Sequence, residues 1–193
     1  MKLQMAVVTL GVAMFATVGV QAQTSTWTID AAHSSVNFTI RHAAVSTVHG
    51  SLGGIKGAVV LDDKDLSKSS VEATIDATSV STGVDPRDKH LKSPDFFDVA
   101  QFPTLTFKSF KIVNEGGKLQ MIGDLTLHGV SKSVTLDLDG PAAPQKGPGG
   151  KIVSGFSATG LIKRSDFGFG PKFAPPALGD DVKFTIDIEM DKQ

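Results

Sequence analysis

The chain has 193 residues, with 19 basic and 20 acidic side chains and a net charge of −1. A nearly neutral chain lacks the long-range field that gathers nucleic acid or an anionic membrane, so we expect no nucleic-acid partner. The absence of cysteine excludes disulfides, thiol nucleophiles and thiolate metal ligands, so the core alone must hold the fold.

Residues 1–22 have the pattern of a secretory signal peptide. Lys2 supplies a short positive start, residues 5–20 are almost wholly apolar, and a small-x-small ending closes at Ala22. The apolar run is short for a membrane span of about 20 residues, and polar residues follow it directly. We therefore expect cleavage after Ala22, a periplasmic or secreted bacterial protein with no integral membrane span, and one domain over residues 23–193.

Apolar and polar side chains alternate with a period of two along most of the remaining sequence. This period predicts roughly eight β-strands, each with one buried face, which is typical of an antiparallel all-β fold. Strands of this kind either pack against a second sheet or close on themselves. The clearest alternating runs begin at Val36, Val71, Leu105, Leu119, Val134 and Val182.

Turn and helix signals are short and local. The pair Gly116-Gly117 predicts a tight hairpin between two of the strands. Val45 and Val48, three residues apart, predict a helical turn within residues 42–49. One further turn each is predicted for residues 87–91 and 94–97.

The segment 85–107 is unusually rich in aromatic and ionic side chains. It contains four phenylalanines with arginine, aspartate and histidine between them. Such a loop must pack on an apolar surface, and its ionic groups must find partners. We expect the segment to close or line one end of the sheet, with an Arg87–Asp88 ion pair pinning it.

The same segment contains the residue types of a nucleophilic triad, in His90, Asp88 and Ser93. A triad is recognised by geometry, and nothing in the local sequence resembles a nucleophile elbow. We therefore predict no catalytic residue and no enzyme, while a periplasmic enzyme acting on a lipid through this segment stays an alternative.

The histidines do not form a pattern of metal ligands. None of the five belongs to an H-x-x-x-H or H-E-x-x-H pair, and further ligands cannot be assigned. We expect no metal site and no cofactor. The histidines are His33, His42, His49, His90 and His128.

The predicted inward faces mix large and small side chains. A closed barrel of about eight strands either fills itself or holds one small ligand. Small inward residues favour a ligand space, because packed interiors leave few gaps wider than water. They equally fit bulges or sharp bends of the strands. The large residues are Phe38, Phe107, Phe156 and Phe184, and the small ones are Ala73, Gly123, Ala158 and Gly160.

The chain resembles the YceI-like, lipocalin-like proteins along its whole length after the leader. The matching motifs, in order, are W-x-I-D-x-x-H-S-x-V-x-F-x-I-x-H from Trp27, S-x-x-T-G from Ser79, R-D-x-H-L-x-S-x-D-F-F from Arg87, F-P-x-x-T-F-x-S from Phe102, G-x-L-T-L-H-G-V-x-K from Gly123 and R-S-D-F-G from Arg164. One departure is the glycine-rich turn after the first strand, where the family usually carries an aromatic residue and this chain reads Gly50-Ser51-Leu52-Gly53-Gly54.

The resemblance implies a single antiparallel, roughly eight-stranded lipocalin-like barrel with short helical turns at one end. It also implies a long isoprenoid or similar lipid in the barrel and, in some members, a homodimer. The expected function is to carry or sequester a polyisoprenoid, quinone or fatty acyl compound, and a module without a ligand, serving protein partners or stress protection, is the remaining alternative.

The predicted ligand-binding residues combine inward strand positions with the aromatic loop and the end of the first long strand. Arginine suits a pyrophosphate head group at the barrel mouth. The predicted set is Phe38, Ile40, Arg41, His42, Ala73, Ile75, Phe96, Phe97, Phe107, Met121, Gly123, Leu125, Phe156, Ala158, Phe184 and Ile186.

Overall fold

The structure is a computed structural model that describes residues 24–193. The predicted signal peptide, residues 1–22, lies outside the described residues. The strands are β1 (Thr24–Ile29), β2 (Ser35–His42), β3 (Ser46–Leu52), β4 (Lys56–Asp62), β5 (Ser70–Asp76), β6 (Thr104–Glu115), β7 (Lys118–Leu127), β8 (Val130–Asp139), β9 (Gln145–Lys146), β10 (Ile152–Lys163) and β11 (Leu178–Lys192).

Helical structure is short. The α-helix α1 spans Asp85–Leu91, and single 3-10 turns occur at Leu66–Lys68, Ala77–Ser79, Pro148–Gly150 and Arg164–Phe167. In the part of the chain that the structure describes, no helix has both the length and the apolar composition that crossing a bilayer requires.

All the strand pairs are antiparallel and they close into a barrel. Going round, β1, β4, β5, β6, β7, β8, β10 and β11 are joined edge to edge, and β11 returns to β1. The same edge of β11 pairs with β2 along Leu178–Asp187 and with β1 at Met190–Lys192. The barrel therefore has eight strand positions. The hairpin β2–β3 extends the positions of β1 and β4 toward the α1 end. The predicted all-β barrel is confirmed.

The predicted tight hairpin is also confirmed. Glu115 pairs with Lys118, so Gly116 and Gly117 alone connect β6 to β7. Their φ angles of 61° and 84° are both positive. A two-residue turn of this type follows the twist of the strands, and glycine adopts it without a steric penalty.

The predicted helical turn within residues 42–49 is wrong. There β2 ends, the chain turns through Ala43 and Ala44 at positive φ, and β3 begins at Ser46. The spacing of Val45 and Val48 suggested a helix, but β-branched residues pair well as strands, and here they form a hairpin with β2. The turn predicted at 87–91 lies inside α1.

The core is densest at the end of the barrel opposite α1. Trp27, Met190, Val59 and Met121 are almost wholly buried there. Leu136 stands level with Met121, since β7 and β8 pair these two residues directly. At the α1 end the same strands enclose an open space.

Candidate functional site

A cavity of about 480 Å³ lies inside the barrel at the α1 end. This volume is within the range of about 300–1,000 Å³ that small-molecule sites occupy. Its wall is built from the inward faces of seven strands, from α1 and from the two loops that cover the barrel. The lining residues are Val36, Phe38, Ile40, His42, Ser46, Val48, Leu52, Ile75, Thr82, Arg87, His90, Leu91, Phe96, Phe97, Leu105, Phe107, Leu125, Leu127, Val134, Leu136, Arg164, Phe169, Phe173, Ala177, Leu178, Val182, Phe184 and Ile186.

Three phenylalanine rings lie against the barrel wall because glycines on neighbouring strands make room for them. A Cβ added to Gly50 would stand 2.3 Å from the tip of the Phe38 ring, and one at Gly160 would stand 2.5 Å from the tip of the Phe184 ring. Each ring therefore fills space that a side chain on the adjacent strand would otherwise take. The middle of the lumen stays open although the rings are large.

Gly123 fits both explanations that the sequence allows for small inward residues, which are space inside the barrel and a bend of the strand. A Cβ there would meet the Phe107 ring and the Lys108 carbonyl oxygen, each at 2.5 Å. It also lies beside a β-bulge in β6, where the register shifts between Ser109 and Lys111. The glycine therefore accommodates a ring and a bend of the strand together.

An aromatic cover lies over the barrel end beside α1; we define it as Phe96, Phe97, Phe169 and Phe173. The rings of Phe96 and Phe173 stack with centroids 5.1 Å apart, and Phe97 meets Phe169 edge-on at 4.7 Å. His90 packs edge-on against both stacked rings. Two loops distant in sequence thus share one apolar layer over the cavity.

Arg164 holds the second of these loops in place. The side chain is buried, and its guanidinium donates to the carbonyl oxygens of Phe169, Gly170, Phe173, Leu178 and Gly179. These bonds use the full fork of arginine donors and compensate the burial of its charge. The loop from Phe167 to Gly179 is therefore wrapped around one cation.

Asp95 joins the two loops of the cover through an ion pair with Lys172. Its carboxylate accepts a hydrogen bond from Lys172 Nζ at 2.6 Å and lies 3.1 Å from His90 Nε2. The Lys172 ammonium and then His90 hold the pKa of Asp95 below its usual value of 3.8. The carboxylate stays ionised across the neutral range and links the loop after α1 to the loop before β11.

The prediction that Arg87 and Asp88 pair with each other is wrong, because each side chain binds Thr82 instead. Arg87 donates from Nε to Thr82 Oγ1 at 2.7 Å and from Nη2 to the Thr82 carbonyl at 3.0 Å. Asp88 accepts from the amide and the hydroxyl of Thr82, which lowers the pKa of this carboxyl. Both ionic side chains thus pin the segment before α1 through one threonine, which accepts from Arg87 and donates to Asp88.

The three residues of triad type are not assembled as a triad. Asp88 is bound to Thr82, His90 contacts Asp95, and the Ser93 hydroxyl accepts from the Asp95 amide at 3.3 Å. Among the hydrogen bonds of residues 24–193, none joins the side chains of these three. Their positions favour roles in holding the cover.

The cavity brings ten of the sixteen predicted ligand-binding residues together. They come from β2, β5, β6, β7 and β11 and from the aromatic cover. Contact with a ligand stays a prediction for all of them. These ten are Phe38, Ile40, His42, Ile75, Phe96, Phe97, Phe107, Leu125, Phe184 and Ile186.

The other six predicted residues lie away from the cavity lining. Arg41 is exposed and donates to Thr47 Oγ1 and to the Ala44 carbonyl, so it braces the β2–β3 turn. Two residues line a separate void of about 30 Å³ in the packed half, and three lie in the wall without reaching the lumen. Met121 and Phe156 line the void, and the three residues in the wall are Ala73, Gly123 and Ala158.

Several lining residues escaped the sequence reasoning. The inward positions Leu105, Val134 and Val182 belong to strands already recognised, so strict alternation would have assigned them. The phenylalanines of residues 167–179 indicate a loop that packs on the barrel. No periodic signal marks Phe169 and Phe173 as cavity lining, because the fold of the loop depends on Arg164.

A group of possible metal ligands lies on the outer surface, outside the cavity. Ligand atoms of Asp30, His33 and Glu189 lie within 4.8 Å of one another. His33 Nδ1 stands 2.9 Å from Asp30 Oδ2, and this contact raises the pKa of His33 and lowers that of Asp30. An ion pair in the turn between β1 and β2 accounts for the arrangement.

The chain is similar to proteins already described. A UPF0312 protein of Vibrio parahaemolyticus is 36% identical over 183 residues, covering 94% of this chain and 93% of that protein. The crystal structure of BcnA from Burkholderia cenocepacia matches with a TM-score of 0.74 at 24% identity, over 83% of this chain and 98% of that one.

A second solved structure has the same fold at lower identity. It is described as a polyisoprenoid binding domain from Saccharophagus degradans, with a TM-score of 0.64 and 18% identity, over 86% of this chain and 98% of that one. The family model of the YceI-like domain matches residues 27–190, which include every strand of the barrel except the outermost residues of β1 and β11. The chain belongs to the YceI-like family.

Proposed function

We propose that this chain is an exported protein that carries or sequesters a long-chain amphiphile in its barrel. A polyisoprenoid, a quinone and a fatty acyl compound share the required chemistry, which is a long hydrocarbon with a polar end. The cavity of about 480 Å³ at the α1 end is the observation that carries the proposal.

The chemistry of the wall supports a hydrocarbon as the occupant. Deep in the cavity the lining is aliphatic and aromatic, with Leu125, Leu136 and Ile186 at its lower end. Each methylene moved there from water gains about 0.8 kcal/mol before ordering costs. Among residues 24–193, no buried side-chain nitrogen or oxygen lacks a hydrogen-bond partner, so nothing deep in the barrel demands a polar ligand.

The cavity becomes polar at one side, where a head group would lie. His42, Ser46, Thr82, Arg87 and His90 line it there, and we call these residues the polar rim. Arginine and histidine suit a phosphate or pyrophosphate. The head-group role expected for His42 is thus retained in the proposal, with Arg87 in place of Arg41.

The relatives and the first residues of the sequence agree with this function. The Saccharophagus degradans structure that shares the fold is described as polyisoprenoid binding. The apolar run of residues 5–20 with its small-x-small ending supports export to the periplasm. A carrier in that compartment would hold an amphiphile between membranes or away from them.

Native mass spectrometry of the gently purified full chain tests the proposal. We expect one amphiphile bound per chain, or uptake of one offered polyprenyl phosphate or fatty acid after lipid is removed. A chain that carries no lipid and takes up neither probe would contradict the proposal.

A cavity-filling variant sharpens this test. Leu125→Trp places a large ring in the lumen, so it should abolish uptake while leaving the free energy of unfolding almost unchanged. In a packed interior the same change would cost about 1–3 kcal/mol. Leu161→Trp, on the outer face of β10 where the leucine is half exposed, is the matched control and should bind normally.

Two further expectations remain predictions. The absence of a nucleic-acid partner is tested by gel shift at low salt, and the possible homodimer by light scattering of the purified chain.

A further inference from the structure

We propose that Met121 and Leu136 form a floor that limits how long a hydrocarbon the barrel accepts. The inference rests on the proposed function and adds a property of the ligand to it, namely the length of its apolar chain. We call these two residues the floor pair.

Two voids lie inside the barrel on either side of the floor pair. The cavity of about 480 Å³ reaches Leu136, and the void of about 30 Å³ in the packed half reaches Met121. The two residues stand opposite each other on β8 and β7. Both are only 2% exposed, so they fill the interior between the voids.

Beneath Leu136 the interior is closed by packed side chains. Leu136 also reaches across to β10, where its Cδ2 would stand 2.9 Å from a Cβ added to Gly160. Trp27, Val59 and Met190 are almost wholly buried in the packed half. A chain descending from the polar rim therefore meets dense packing at the level of the floor pair.

A floor of this kind predicts a plateau in affinity. Each added isoprene unit strengthens binding while it is buried, because apolar surface leaves water. Units beyond the depth of the cavity stay near the polar rim and add nothing. Affinity should therefore rise with chain length and then level off.

The test measures binding of polyprenyl monophosphates that differ by single isoprene units, by native mass spectrometry and competition. The variant Met121→Ala/Leu136→Ala joins the two voids. It should move the plateau to chains at least one unit longer, with about tenfold tighter binding of the first such chain relative to wild type. Leu136→Phe raises the floor, so affinity should level off at a shorter chain length than in the wild type.

A matched control separates the floor from general loosening of the core. Ile112 lines the lower void and not the cavity, and it is buried nearly as completely as the floor pair. Ile112→Ala enlarges the lower void alone, so it should lower stability as one of the two floor truncations would but leave the plateau where it is.

The possible results distinguish the inference from the function that it refines. If the wild type binds the series but neither the double alanine variant nor Leu136→Phe moves the plateau, the floor is wrong and the carrier function stands. The same follows if wild-type affinity rises without limit along the series. If the wild type binds no polyprenyl monophosphate, the floor as a limit on isoprenoid length is wrong; if it also takes up no fatty acid, the proposed function itself fails.

Discussion

Gly50 and Gly160 decide how much of the lumen is free for a ligand. Neither has a positive φ, so the backbone at both positions accepts any residue. What requires glycine is the ring on the neighbouring strand, which is Phe38 in one case and Phe184 in the other. Without a side chain at these sites, the rings lie against the wall.

Gly160→Ala should weaken ligand binding more than it weakens the fold. The added methyl would stand 2.5 Å from the Phe184 ring, which must then swing toward the lumen and occupy ligand space. We expect about tenfold weaker binding of a fluorescent fatty acid, equivalent to about 1.4 kcal/mol. Gly53→Ala is the control, since nothing lies within 4 Å of its added methyl. Equal affinity in the two variants would contradict this account of Gly160.

Among the charged residues that hold the cover, Arg164 should be the one whose substitution lowers stability most. Arg164→Met leaves the carbonyls of the Phe167–Gly179 loop without their common donor, at a cost of about 3 kcal/mol. For a domain of this size the melting temperature should fall by about 6–12 °C. Thermal unfolding followed by circular dichroism measures it. Arg41→Met, which removes an exposed guanidinium bound to Thr47 and Ala44, should shift the transition little, and a similar loss in both variants would refute the assigned role.

At the scale of elements, the cover depends on two loops that the sequence separates widely. One follows α1 and carries Phe96 and Phe97, and the other precedes β11 and carries Phe169 and Phe173. Ring contacts join them from inside, and Asp95 joins them from outside. A cover made of side-chain contacts between loops can open without disturbing the strand pairing of the barrel.

Asp95→Asn should loosen the cover in a pH-dependent way. Because the pKa of Asp95 is lowered from 3.8, its ion pair with Lys172 is fully present above that value and is lost as pH falls through the lowered pKa. Hydrogen exchange of residues 168–177 should be faster in the variant than in the wild type at pH 6. The two proteins should converge in strong acid.

The control for this prediction is a surface ion pair elsewhere. Asp181→Asn removes the pair with Lys163 and should leave exchange in the cover unchanged. Equal exchange rates in wild type and Asp95→Asn at pH 6 would show that the ion pair of Asp95 does not hold the cover.

The fold could be predicted from the sequence because local patterns of polarity and turn residues determine most of its strands. Alternation located the long strands, and Gly116-Gly117 located the hairpin between β6 and β7. The hairpin β2–β3 was missed because its turn is made by two alanines at positive φ, a conformation that alanine seldom adopts and composition does not signal.

The site could be predicted only in part, because its geometry arises from contacts between distant segments. Alternation identified inward residues such as Ile75 and Leu125. It could not show that Met121 lies below the cavity, that Arg41 turns outward, or that Phe173 reaches the cover through a loop wrapped around Arg164.

At the scale of the whole molecule, the barrel divides stability and ligand space between its two ends. The end opposite α1 is packed around Trp27 and Met190, and the α1 end encloses the cavity. The packed end supplies a core that does not depend on a ligand, so the emptied protein should remain folded.

The single tryptophan provides a test of this division. Trp27 is 1% exposed and lies outside the cavity lining, with its Nε1 donating to Ser25 Oγ at 2.8 Å. Its emission should stay blue-shifted and unchanged when a polyprenyl phosphate saturates the protein, and should shift red only on unfolding. A red shift on removal of lipid would show that the packed end depends on the ligand.

X-ray diffraction from crystals of the lipid-free protein under xenon pressure tests the central claim most directly. Xenon enters empty apolar cavities whatever the natural ligand is. We predict xenon sites between Phe38, Phe107 and Phe184, above Leu136 and beneath the aromatic cover. Three rings turned inward to meet in the lumen, with no xenon among them, would contradict the account.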